Sequence, residues 1–320
     1  MRAISFFVSL LLLSTVQAHA QQFPSRAIRM IVPYAAGGPY DAIVRVVSEK
    51  AGTALGQPII IDNRGGAGGV LGADLAAKSP GDGYTLVTIS PGQTGIAAAT
   101  NAAMPYDPQK DLVPVIAMVE DRLILIGGKT IPAKNVGELI AYLKTRPGQV
   151  NYSSAGNGSM SHLVMELFKQ TYGVDVVHIP YRGTAPALMA LIKDEVGLQF
   201  ASPSGVKAFI DEGKVVPFIA ASAARSAILP DVPTMSELGF ANLDSPLWYV
   251  VAAPRGTPPE VIIKLFEAYA TALRSPEVRE RMAKLGVEIV AAPPETAAKI
   301  IDADIERWGR IVRAANIKLE

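Results

Sequence analysis

Residues 151–162, Asn-Tyr-Ser-Ser-Ala-Gly-Asn-Gly-Ser-Met-Ser-His, put hydroxyls, two amides, an imidazole and two glycines within a dozen positions. Tyr152 and Ser153 favour a strand, Ser154, Ala155, Gly156, Asn157 and Gly158 a loop, and Leu163, Leu167 and Phe168 recur at helical spacing. The pattern predicts strand, loop, helix. Ser159 or Ser161 can cap that helix, and the glycines let backbone N–H groups crowd toward one point, which suits an anion such as a carboxylate. A capped glycine-rich connection with nothing bound would use the same residues. Ser159 and His162 also suggest a nucleophile and its base. However, no G-x-S-x-G elbow occurs, and a nucleophile sharing one helical turn with its base does not match hydrolase triads. His162 therefore reads as a helix-start donor, either to a bound oxyanion or to nearby backbone, and His178, inside a strand, as structural.

A second stretch repeats this logic. Ile28–Pro33 reads as a buried strand, Tyr34 to Tyr40 as a tight loop with Gly37, Gly38 and Pro39, and Asp41 as a first-turn acid of the following helix. Asp41 can cap its own helix, pair with Arg45, or accept from a ligand donor at a cleft. Arg64–Gly72 has glycines at 66, 68 and 72, one residue too long for a dinucleotide fingerprint, and no Gly-Lys-Ser/Thr exists. These glycines are expected to line a helix–sheet contact. Ser90, Gln93 and Thr94 form a polar loop at a strand's C-terminal end, the edge where open α/β sheets collect ligands. Tyr181 and Arg182 follow a strand over 174–179. Arg182 can clamp a carboxylate in bidentate fashion or sit in a solvated ion pair. A strand over 196–200 ends at Ser202 and Ser204.

The elements that must position these groups alternate strand and helix, which implies parallel-rich sheets. Apolar segments over 113–127 and 247–252 read as two crossings between two such sheets, hence two lobes and a cleft. The C-terminal portion reads as helical, with Ile262, Leu265, Phe266, Tyr269 and Leu273 on one face and Trp308 as core. Residues 1–20 have Arg2, an apolar run from Phe6 to Leu13 and Ala18-His19-Ala20, a secretory signal peptide with cleavage expected after Ala20. Arg2 is the one charged residue of that segment, so its loss leaves 29 basic against 29 acidic residues and no basis for nucleic-acid binding. The absence of cysteine excludes disulfides, thiolate metal sites and cysteine nucleophiles. With only His162 and His178 beyond the signal segment, neither a metal nor a cofactor is expected.

Val32–Asp41, Asp62–Gly69, Asp82–Leu86, Pro105–Pro108, Tyr152–His162, His178–Gly183, Leu229–Thr234 and Ala253–Pro258 resemble, in order, the signatures of the Bug family. These are the periplasmic substrate-binding proteins of tripartite tricarboxylate transporters. The resemblance covers the whole mature chain. It implies a Venus-flytrap α/β fold, with lobe 1 from residues 21–123 and 247–320 and lobe 2 from 124–246, each a sheet flanked by helices. It further implies a small carboxylate held between the loops at Tyr34–Asp41, Ser90–Thr94, Ser154–His162, Tyr181–Arg182 and Ser202–Ser204. The expected function is a monomeric exported receptor delivering that ligand to transporter membrane subunits or to a sensor. An exported enzyme on the same scaffold is the alternative. Two departures stand out: Tyr40 replaces a smaller residue, and Ala201-Ser202 stands where many members have an aspartate, which argues against recognition of a ligand amine there. An aromatic or unsaturated carboxylate is mildly favoured.

Overall fold

The computed structural model describes residues 23–100, 104–239 and 245–314; the expected signal peptide lies outside them. The strands in chain order are β1 (Ile28–Val32), β2 (Ile59–Asn63), β3 (Thr85–Ile89), β4 (Leu112–Asp121), β5 (Ile124–Gly127), β6 (Asn151–Ser154), β7 (Val177–Pro180), β8 (Leu198–Ala201), β9 (Val216–Ala220), β10 (Leu247–Pro254) and β11 (Glu288–Ala292). One sheet has the order β11-β4-β10-β3-β1-β2 and the other β7-β6-β8-β5-β9. The helices are α1 (Pro39–Leu55), α2 (Val70–Ala77), α3 (Gly95–Thr100), α4 (Val136–Lys144), α5 (Met160–Tyr172), α6 (Thr184–Ile192), α7 (Pro203–Asp211), α8 (Pro259–Arg274), α9 (Pro276–Lys284) and α10 (Pro294–Ala314).

The sheets are mixed rather than parallel-rich. In the first, β1 runs parallel to β2 and β3, but β10 lies antiparallel between β3 and β4. In the second, β6 runs parallel to β7 and β8, while β5 lies antiparallel between β8 and β9. The reason is the route of the chain. It leaves the first sheet through Arg122 and Leu123 and returns before Leu247, so each sheet takes in one strand that has just crossed from the other. The two crossing segments are tied together where the Ala221 amide donates to the Leu123 carbonyl at 2.8 Å and the Ser245 amide to Ala221 at 3.2 Å.

Alternation along β10 shows how both faces become core. Leu247, Tyr249, Val251 and Ala253 pack into a cluster that runs on through Leu123 and Leu125 into the second lobe, whereas Trp248, Val250 and Ala252 pack under α10. The C-terminal portion, read from the sequence as helical, also contains strand β11, whose Ile289 and Val290 suit a strand and which pairs antiparallel with β4. The face expected on α8 is observed: Ile262, Leu265, Tyr269 and Leu273 are buried. Trp308 is fully buried and donates to Asp304 at 3.1 Å.

Candidate functional site

Strand C-termini of the two sheets face one another across a cavity of about 30 Å³. Its walls take Pro39 and Tyr40 from the start of α1, Ser159, Met160 and Ser161 from the start of α5, Thr184 from the start of α6, and Ser202 from the start of α7. None of these four helices has its first turn capped by a side chain. A helix leaves its first N–H groups without intrahelical partners, and the aligned peptide dipoles make that end positive. The cavity therefore has four converging helix starts, that of α1 carrying Asp41 in its first turn, and among the described residues no lysine or arginine in its lining. Pro39 and Pro203 occupy first helical positions, where a missing N–H costs nothing. A roomier depression of about 570 Å³, lined by Arg45, Glu49 and Gln57 among others, is open to solvent and lies away from these helix ends.

Aromatic rings and held hydroxyls complete the walls. Tyr40 meets Tyr34 edge-on at 5.0 Å and Tyr249 at 4.2 Å between ring centroids. Among the described residues the Tyr40 hydroxyl is buried without a hydrogen bond of good geometry, although the Thr88 and Ser90 hydroxyls stand near it. Burial pushes the Tyr34, Tyr40 and Tyr249 phenols further above their ordinary value, so all three stay protonated. Gln93 is fully buried: its amide nitrogen donates to the Tyr34 hydroxyl at 2.8 Å and the Gly68 carbonyl at 2.6 Å, and its oxygen accepts from the Ser90 amide and hydroxyl, each at 2.9 Å. Ser202 donates to the carboxylate of Asp121, which is fully buried at the end of β4. Burial pushes the Asp121 carboxyl up to about 6, against the bonds it accepts from Ser202 and from the Arg122 amide.

The expected site residues thus divide. Tyr34, Pro39, Tyr40, Ser90, Ala155, Ser159 and Ser202 line the cavity. Gln93 and Thr94 stand behind it as braces, Thr94 through a 3.3 Å bond to the Ser90 carbonyl. Asp41 is not brought to the cavity. It accepts from Gly37 at 3.0 Å, Arg45 at 2.8 Å and Asn63 at 2.8 Å, bonds that brace the loop before α1. Burial raises its carboxyl, but those bonds outweigh burial and hold it below the usual value. The Arg182 side chain is exposed, Tyr181 is half-buried, and neither lines the cavity; Ser204 is also outside it. Gly38 faces Ala185 across the lobes.

His162 also lies elsewhere, on the outer side of the second lobe. It stacks on His178 with ring centroids 3.8 Å apart, and its Nδ1 accepts from the Gly158 amide at 3.2 Å. His178 Nε2 lies 2.6 Å from the Ser154 hydroxyl, which accepts from the Gly156 amide at 3.0 Å. Burial pushes His162 down to about 3 and His178 to about 4. The stack is therefore neutral at pH 7 and holds the 154–158 loop from behind. Of the two readings of His162, backbone acceptance is observed, with the imidazole accepting rather than donating.

The glycine run at 65–72 does more than pack a helix on a sheet. A Cβ at Gly68, whose φ is +63°, would lie 2.4 Å from the Asn157 carbonyl oxygen of the facing lobe. A Cβ at Gly156 would lie 3.1 Å from the Gly68 amide nitrogen. Glycine permits these backbones to meet. Sequence reasoning missed Leu123, Leu247 and Tyr249, whose alternation reads only as core, and Ser161, Thr184 and Phe200, which stand next to segments it did single out. It also missed Asp121, brought to Ser202 across 81 positions of sequence. The acid absent after β8 is present in space.

This is the architecture of a two-lobe binding protein with its ligand site between the lobes. The sequence profile of the tripartite tricarboxylate transporter family receptors (TctC) matches residues 43–317, and the chain belongs to that family. It is 36% identical over 302 residues to Protein BugT of Bordetella pertussis, covering 94% of this chain and 93% of that one. Its fold is similar to MatC from Rhodopseudomonas palustris with bound malate, at TM-score 0.87 and 34% identity, covering 91% of this chain and 100% of the other. It is equally similar to an R. palustris protein with adipate, at TM-score 0.88 and 32% identity, covering 92% and 99%.

Proposed function

We propose that this chain is a periplasmic receptor that closes its two lobes on a small carboxylate and hands it to the membrane subunits of a tripartite tricarboxylate-type transporter. The carrying observation is the convergence of four uncapped helix N-termini on one inter-lobe cavity without a cationic side chain. Backbone dipoles fix an anion's position without demanding a counter-ion. The malate and adipate held by relatives support the same chemistry. We place the lobe boundaries at 123/124 and 246/247, where the chain crosses. The residues that meet the ligand are those lining the cavity together with the backbone of the 154–161 loop.

Capture without turnover fits the hydroxyls at hand. Ser90 gives its proton to Gln93 and Ser202 to Asp121, and the imidazole of His162 is engaged from the far side of the loop. Among the described residues no serine of the cavity bonds an imidazole, and the one base a cavity serine meets is the buried Asp121 carboxylate behind Ser202; we propose a monomeric receptor with a cleaved signal peptide. With the lobes in contact the cavity is an order of magnitude below the roughly 300 Å³ at which small-molecule pockets begin, so the ligand enters only when the lobes part. Calorimetric titration with monocarboxylates and dicarboxylates, each beside its primary amide, tests the proposal. Carboxylates should bind and their amides fail. A ligand at a hundred times its Kd should add about 2.7 kcal/mol to stability. Equal binding of acid and amide would overturn it.

A further inference from the structure

Ser202 occupies the position before α7 where a serine ordinarily turns its oxygen to the helix's own free N–H groups. It makes no such cap. Its hydroxyl instead donates to one oxygen of Asp121, whose other oxygen accepts the Arg122 amide at 2.7 Å. The Arg122 guanidinium turns to Glu120 and Glu288, so among the described residues no cation contacts the Asp121 carboxylate. A serine has one proton to give. With that proton held by Asp121, Ser202 offers the cavity only lone pairs, beside which stands the Tyr249 hydroxyl. Ser90, on the same cavity, is in the same condition: its proton is held by Gln93, which Tyr34 and Gly68 fix in orientation.

We propose that the cleft selects a carboxylate whose other end carries a hydrogen-bond donor, an ammonium or a hydroxyl, and rejects a second carboxylate at that end. This inference rests on the receptor reading above. A second carboxylate would bring acceptor oxygens against the lone pairs of Ser202 with the charge of Asp121 directly behind, a charge that offsets the positive end of α7, and Ser202 could turn to meet it only by abandoning a buried carboxylate. A donor completes the chain of bonds from ligand to Ser202 to Asp121. An ammonium gains further by approaching a buried charge that no cation contacts among the described residues. Asp121 and Ser202 therefore reverse the expectation drawn from Ala201 and Ser202 in the sequence.

The test is calorimetry with butyrate, gamma-hydroxybutyrate, gamma-aminobutyrate and succinate, and with the same four ends on chains one carbon shorter and longer. At the length that binds best, the amino or hydroxy acid should bind at least about tenfold more tightly than the diacid, the scale of one charge-assisted hydrogen bond. Ser202→Ala should erase that preference. Asp121→Asn offers an amide donor to Ser202, frees the hydroxyl proton toward the cavity, and should move the preference about tenfold toward the diacid. If Asp121→Asn does not fold, the wild-type series and Ser202→Ala decide. A wild-type protein that binds the diacid as tightly as the donors overturns this inference and leaves the receptor reading standing. Failure of every carboxylate overturns both.

Discussion

Substituting Gly68 by alanine isolates lobe closure from folding. The added methyl carbon would lie 2.4 Å from the Asn157 carbonyl oxygen, and 3.1 Å from the carbonyl carbon of Gly158 and the amide nitrogen of Ser159. Ordinary contact begins near 3.4 Å, so the facing loops must stand about 1 Å further apart than they do. All three neighbours are backbone and cannot swing aside. The φ of +63° adds about 1–2 kcal/mol of strain in both open and closed forms. Strain alone therefore lowers the melting temperature, while the overlap acts only on closure. If the displaced loop loses one or two bonds to the anion, at roughly 1.5–3 kcal/mol each, affinity falls at least about tenfold. Gly56→Ala is the control, since Gly56 has a φ of +71° with nothing within 4 Å of an added Cβ. Calorimetry and thermal melting on both variants would show similar loss of stability and loss of affinity for Gly68→Ala alone. Equal affinities in the two variants would refute the argument that these backbones must touch.

Three further outcomes follow from the same geometry. Tyr40→Phe removes a buried hydroxyl that makes no well-formed bond among the described residues, so the ligand-free protein should gain up to about 1 kcal/mol in denaturant unfolding while carboxylate affinity falls; a gain in both would mean the hydroxyl never meets ligand. Ser159→Ala should weaken carboxylate binding by roughly 1.5–3 kcal/mol with little change in melting, because Ser159 does not cap its own helix; unchanged affinity would make the loop purely structural. His162 and His178 have folded-state values of about 3 and 4, below the ordinary 6.5. Their contribution is thus complete above about pH 6.5 and is lost as pH falls toward those values, by up to about 2 kcal/mol for His162 at about pH 5 and by less for the partly exposed His178, whose charge water screens. Melting of wild type and His178→Asn at about pH 8 and pH 5 checks the sign: the wild-type advantage should shrink in acid, and a constant difference would exclude proton linkage at the stack.

Features written in short-range pattern were legible in the sequence. The loops at 34–41 and 154–161 are strand, glycine, helix start, and that local order is enough to put Tyr34, Tyr40, Ala155 and Ser159 at a common edge. The direction in which each side chain turns was less legible. Asp41 and His162 carry the right groups, but Arg45 and Asn63 hold the first and His178 draws the second to the outer face. Residues of the crossing strands were hidden altogether. Leu123, Leu247 and Tyr249 alternate like any buried strand, and Asp121 acquires meaning only where β4 ends beside Ser202. The glycines at 66–69 hid their role for a similar reason, since the loop that Gly68 meets belongs to the other lobe.

The central claim is that two lobes close on a carboxylate, and solution scattering reads it directly. Curves recorded for the ligand-free protein, with the tightest-binding carboxylate, and with its primary amide at equal concentration should show contraction with the acid alone. Superimposable curves for all three, at acid concentrations that calorimetry shows to be saturating, would contradict the account.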